Sequence, residues 1–157
     1  MSEAMKETAT QQLERLALRP KVYGASKLDY AAQWRDLADR WSPKVDLHAR
    51  WPTQFYGNME DTPENARVFW TADIEDVMRS DAVLVVADLY FQRPLRGALI
   101  EAGVALGQGK PVFVVGESKC YGTWQYFPGV IRCKDIEHAL DEIVSRWIPA
   151  HRAWMLG

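Results

Sequence analysis

The sequence predicts an α/β protein: a doubly wound parallel sheet flanked by helices, folded as a single domain. Three observations lead there. Residues 82–87 (AVLVVA) and 111–115 (PVFVV) are unbroken apolar runs, which suit strands covered on both faces. Stretches of helical period lie between such runs. The 157 residues are enough for one core but not for two full domains.

Taken in order, residues 3–18 hold no Gly or Pro, and Leu13, Leu16 and Ala17 fall at helical spacing before Pro20, which predicts a peripheral N-terminal helix. Residues 21–25 (KVYGA) read as a strand. Residues 28–41 carry Leu28, Ala31, Trp34, Leu37, Ala38 and Trp41 in a helical stripe. Residues 44–51 alternate moderately, as a strand would, and residues 51–63 (WPTQFYGNMEDTP) have no period and read as a long functional loop. Thr62 as N-cap with Pro63 in the first turn opens a helix with its body at 65–79. The pattern then repeats, with a strand at 82–87, a helix at 97–106, strands at 111–115 and 130–133, and an amphipathic helix at 136–147. Strands alternating with helices in this way form a Rossmann/flavodoxin-like sheet.

Composition excludes several functions. Nineteen Lys and Arg against 21 Asp and Glu leave a net charge of −2, so no basic field exists to hold a nucleic-acid polymer, although a mononucleotide is compatible. Cys120 and Cys133 cannot build a disulfide framework, and His48, His138 and His151 are scattered without triad or zinc spacing. No metal and no cofactor is expected. The N-terminus lacks a signal-peptide core and no apolar stretch reaches the ~18 residues that span a bilayer. The expectation is a cytoplasmic protein with no membrane contact.

Ligands of open parallel sheets bind beyond the carboxyl ends of the strands, here the loops 24–27, 49–58, 88–97 and 116–126. Glu101 stands out next to them, a carboxylate in a helix that is otherwise small and apolar. One reading makes it a complement to the helix dipole, worth ~0.3–1 kcal/mol. The other makes it a reacting group.

Three pieces of sequence decide between these readings: VYGAS at 22–26, TADIEDVMRSDAVLVVAD at 71–88 and GALIEAGVALGQGKPV at 97–112. Together they resemble the nucleoside 2-deoxyribosyltransferase family and its relatives that hydrolyse nucleotide N-glycosidic bonds, over residues 22 to about 147. The resemblance implies that Glu101 is the nucleophile, that Asp73 matches the family's aspartate on the preceding helix, and that Tyr23 and Gly24 match the glycan-side wall at the end of the first strand. It also implies a homo-oligomer, with which the aromatic loop 124–127 and the tail HRAWMLG are compatible.

The chemistry of those residue types is consistent. Breaking a C1′–N bond builds positive charge on the sugar, which a carboxylate beneath C1′ stabilises or captures, and the leaving base needs a proton or strong hydrogen bonds, so Asp73 could orient Glu101 or help move that proton. The bland alternative for Asp73 is a solvated charge on a helix face shared with Asp76, and Glu75 and Asp76 are assigned to that role. One departure stands out: family transferases carry an Asp six residues before the nucleophile, where this chain has Leu95. Its neighbours are Arg93 and Arg96, and with Ser26 and Lys27 these suit a 5′-phosphate. That favours transfer to water, whereas overall similarity favours transfer to a base. Asp88, at the end of its strand, completes the expected substrate contacts. Gly97 is expected to permit close approach at the site, and Gly103 against the sheet. Trp51, Phe55, Tyr56, Trp124 and Tyr126 are loop aromatics for base stacking, loop anchoring or a subunit interface, with Trp51 and Trp124 preferred for stacking.

Overall fold

The computed structural model describes residues 19–54, 60–87 and 95–156. The proposed helix at 3–18, and with it Phe55, Tyr56, Asp88 and Arg93, lies outside the described residues. Five parallel strands form one sheet in the order β2-β1-β3-β4-β5, with β1 at Lys21–Ala25, β2 at Asp46–Leu47, β3 at Ala82–Val86, β4 at Val112–Val115 and β5 at Val130–Cys133. This is the flavodoxin-like order, and its switch point lies between β1 and β3.

Register assigns every strand residue to a face. Tyr23, Val83, Val112 and Val130 pair across the sheet and point to one side, while Gly24, Leu84, Phe113 and Ile131 point to the other. Helices α3 (Pro63–Arg79) and α4 (Arg96–Gly107) pack on the Tyr23 side. Helices α1 (Ala31–Trp41) and α5 (Ile136–Leu156) cover the other, with Trp34 lying over Gly24. The short helix α2 (Trp51–Gln54) follows β2. The middle strands are closed off from solvent on both faces, which is why they read as continuous apolar runs.

Helix ends follow local chemistry. The Thr62 side chain accepts from the Asn65 N–H at 3.2 Å and Pro63 occupies the first turn. At the other end of α3, the Lys110 ammonium donates to the Val77 and Met78 carbonyls at 2.9 and 2.7 Å, so the Lys of the Gly-Lys pair before β4 caps a neighbouring helix.

Three elements differ from the sequence reading. The helix predicted from residue 28 begins as a 3-10 turn at Leu28–Tyr30. The strand predicted over 44–51 shortens to Asp46–Leu47, because Pro52 favours a helical first turn and Thr53 bonds back to the Arg50 carbonyl. Helix α5 runs on to Leu156 through Pro149, which forgoes one backbone hydrogen bond. Among the described residues no helix is long and apolar enough to cross a membrane.

Two glycines behave oppositely. A Cβ on Gly24 would lie 2.3 Å from the Trp34 ring, whereas one on Gly103 would meet nothing within 4 Å. Gly103 is exposed on the outer face of α4, so it does not serve close approach to the sheet as expected. Gly24→Ala should therefore cost ~1–3 kcal/mol through overpacking, and Gly103→Ala should add ~0.5–1 kcal/mol through helix propensity. Chemical denaturation midpoints of the two variants measure this contrast.

Candidate active site

A cleft of about 370 Å³ opens beside the carboxyl ends of β1 and β3, at the switch point of the sheet. The loop after β1 supplies Ser26 and Lys27, α2 supplies Trp51, α3 supplies Phe69, Trp70 and Asp73, and α4 supplies Arg96, Gly97 and Glu101. Eight of the residues singled out from the sequence thus come together here or on its floor, Tyr23 being the floor residue.

The centre is a group of three side chains. Tyr23 is fully buried and its hydroxyl donates to Glu101 Oε1 at 2.6 Å. Asp73 is 1% exposed and Glu101 6%, and Asp73 Oδ1 is a buried oxygen without a hydrogen-bond partner. Burial pushes the Asp73 carboxyl up to about 8, with the Glu101 charge adding to it and the Tyr23 hydroxyl opposing. Burial pushes Glu101 up to about 7, again opposed by the Tyr23 hydrogen bond. The Tyr23 phenol itself is driven far above its ordinary value by burial and by the two carboxyls. The single Tyr23 hydroxyl proton is donated to Glu101, while Asp73 Oδ1 receives no hydrogen bond, so the two carboxyls sit in unlike surroundings.

The surroundings sort the other candidates. Trp51 is buried, lines the cleft, and donates its indole N–H to the Gly24 carbonyl at 2.7 Å while meeting Trp34 edge to face. Gly24 itself faces α1, because strand alternation turns it away from Tyr23, so it reaches the cleft only through that carbonyl. Gly97 fits the close-approach reading: a Cβ there would come within 3.0 Å of the Trp70 ring. The Ser26 hydroxyl donates to the Val86 carbonyl at 3.3 Å, and Lys27 and Arg96 stand at the rim. Leu95 is buried at the N-cap of α4 and leaves the first turn of that helix without a side-chain cap.

Two assignments are corrected. Trp124 does not line the cleft: it stands edge to face on buried Tyr121, whose hydroxyl accepts from the Ala87 N–H and donates to the Val115 carbonyl. The loop between β4 and β5 is held over the strand ends by that hydroxyl, so its indole serves anchoring. Asp76 is not a solvated charge; it is 2% exposed and paired with Arg50, and Asp73 is likewise buried. Glu75 remains half exposed on the same Arg50.

Phe69 and Trp70 were not anticipated. They precede Asp73 by four and three positions, the spacing that puts side chains on one helix face, and that spacing is the signal in the sequence that identifies them. A second cavity, of about 570 Å³, lies on the α1 and α5 side. Its walls are mostly apolar, and the charged Arg40 and Glu137 at its edge already pair with each other at 2.8 Å. Among the described residues no group of three His, Cys, Asp or Glu could hold a metal ion.

Comparison with known proteins adds the fold. No family model matches the chain, and no curated protein does either. A conserved protein from Enterococcus faecalis V583, known from its crystal structure, is similar with a TM-score of 0.55 and 19% identity, covering 82% of this chain and 99% of that chain. The α/β single-domain architecture is shared between them.

The raised carboxyls make stability depend on pH in a defined direction. An acid whose folded value lies above its unfolded value, near 4, stabilises the fold fully below about 4 and loses that contribution as pH rises through about 7 and 8. Melting temperature should fall between pH 5 and 8. Asp73→Asn should flatten the slope and raise Tm at pH 8 by roughly 2–6 °C, with a smaller rise at pH 5, as read by calorimetry.

Proposed function

We propose that the chain is a nucleoside 2-deoxyribosyltransferase-like enzyme that cleaves the N-glycosidic bond of a (deoxy)nucleoside or nucleotide. The observation that carries this reading is the pair of buried carboxyls, Asp73 and Glu101, of which Glu101 accepts from the Tyr23 hydroxyl, at the wall of a cleft of nucleoside size. A structural role does not account for an acid held without a partner at Asp73 Oδ1.

The two carboxyls divide the work. The Tyr23 hydroxyl donates to Glu101 at 2.6 Å, which favours its anion, whereas Asp73 Oδ1 receives no hydrogen bond, so the nucleophile is assigned to Glu101 and the proton to Asp73. In the first step a Glu101 oxygen bonds to C1′ as the C1′–N bond breaks, and its electron pair leaves with the base. Asp73 gives its proton to the departing nitrogen. In the second step a new base nitrogen or a water bonds to C1′, its proton passes to the Asp73 carboxylate, and the ester electrons return to Glu101. The planar base has Phe69, Trp70 and Trp51 available as apolar walls.

A second reading, hydrolysis of a 5′-monophosphate, has its own support. The uncapped first turn of α4 opens into the cleft beside Arg96, with Lys27 across from it, an arrangement that attracts a phosphate, and Leu95 stands where base-exchanging relatives carry an Asp. Transfer and hydrolysis share the steps at Glu101 and differ in the acceptor.

Deoxynucleosides and deoxynucleoside monophosphates, incubated with and without a free base, should release base detectable by chromatography, and the presence of exchanged product separates transfer from hydrolysis. Saturable nucleotide binding without any turnover would make the chain a binding module instead. Activity should be highest between about pH 7 and 8, where one carboxyl of the pair is ionised, and fall on both sides. Glu101→Gln should lower kcat on the order of 10³-fold or more, and Asp73→Asn by ~10²–10⁴-fold. Full activity in Glu101→Gln would overturn the mechanism.

A further inference from the structure

Arg50 lies outside the cleft lining, yet it joins several parts of the site's framework. Its backbone N–H and its Nε both donate to Asp76, at 2.9 to 3.1 Å, and its Nη2 donates to the Ala72 carbonyl at 2.9 Å and to Glu75 at 3.0 Å. Main chain and side chain are thus both fixed to one turn of α3, the turn that also presents Asp73. The next residue along the chain is Trp51, a wall of the cleft tied to β1 through the Gly24 carbonyl. One residue further, the Pro52 carbonyl accepts from Arg35 of α1 at 2.8 Å.

Helix α3 therefore buries two carboxylates three positions apart on one face and treats them differently. The Asp76 side chain is 3% exposed and is neutralised by the Arg50 guanidinium, which is itself 31% exposed. Asp73, 1% exposed, feels the Arg50 charge less than its own burial and the Glu101 charge, and its Oδ1 is buried without a hydrogen-bond partner. A buried carboxylate stripped of its cation is strongly unfavourable, so the Arg50–Asp76 pair fixes where the chain entering Trp51 must lie.

We propose that Arg50 is a positioning residue of the site: through the buried carboxylate of Asp76 it holds the Trp51 wall of the cleft against the helix that carries Asp73. Lysine cannot replace it, because a single ammonium cannot reach both Asp76 oxygens, the Ala72 carbonyl and Glu75 together. The structural part of the proposal stands independently of the reaction; its kinetic part rests on the reading of the cleft as an N-glycosidic active site.

The test uses the full chain with Arg50→Lys and, separately, Asp76→Asn. Hydrogen exchange followed by NMR compares the Trp51 indole N–H with the Leu84 amide of the central strand. The expected result is a loss of Trp51 protection of about tenfold or more with Leu84 protection retained, because a positioning role loosens the wall selectively whereas a purely structural role lowers both together. Unchanged Trp51 protection in a folded Arg50→Lys protein overturns the proposal, as does a parallel loss at Trp51 and Leu84. Should Arg50→Lys fail to fold, Asp76→Asn decides by the same comparison. On any nucleoside that the unaltered protein turns over, Arg50→Lys should lower kcat by roughly 10–100-fold, the scale of a small misplacement of a binding wall. Unchanged kcat with lost protection would also overturn it. If the unaltered protein turns over no nucleoside, the reaction reading fails while the exchange result still judges Arg50.

Discussion

One phenol proton between two buried carboxyls is the constraint from which the site follows. Tyr23 has a single hydroxyl hydrogen and spends it on Glu101, so Asp73 is left with a free oxygen in a place where an anion is costly. The sheet makes this arrangement possible. Only a strand at the switch point can bring a tyrosine from β1 beneath helices that descend from β2 and β3, and only a parallel sheet buried on both faces keeps that position dry. The unlike surroundings of the two carboxyls, one bonded to Tyr23 and one with an unpartnered oxygen, thus result from where the chain crosses over.

Much of the fold was legible in the sequence because its signals are local. The runs AVLVVA and PVFVV identified central strands, and Thr62-Pro63 identified the start of α3, since apolar periodicity and capping act within a few residues. Where tertiary forces compete, the reading went astray. The alternation at 44–51 is broken by Arg50, which is captured by a helix residue 26 positions away, and no local pattern announces that pairing. Helix α5 runs past its expected end because a single proline is tolerated within an otherwise helical run.

The site was legible in part. Glu101 was conspicuous as a charge in an apolar helix, and Asp73 and Tyr23 came with it by resemblance; the structure brings all three into one group. Asp76 was misassigned because spacing on a helix cannot tell which of two carboxylates three residues apart meets a cation from elsewhere. Trp51 and Trp124 looked alike as loop aromatics. Their different fates depend on a carbonyl at Gly24 and a ring at Tyr121, both distant in sequence.

Gly24 leaves an opening in β1 that the Trp34 ring fills from the far side of the sheet, and that ring in turn meets Trp51 at 6.1 Å between centroids. The two sides of the molecule are therefore mechanically joined through one missing side chain. A side chain larger than hydrogen at position 24 would push the Trp34 ring out of that space, so the shape of the cleft wall at Trp51 is set in part from behind the sheet.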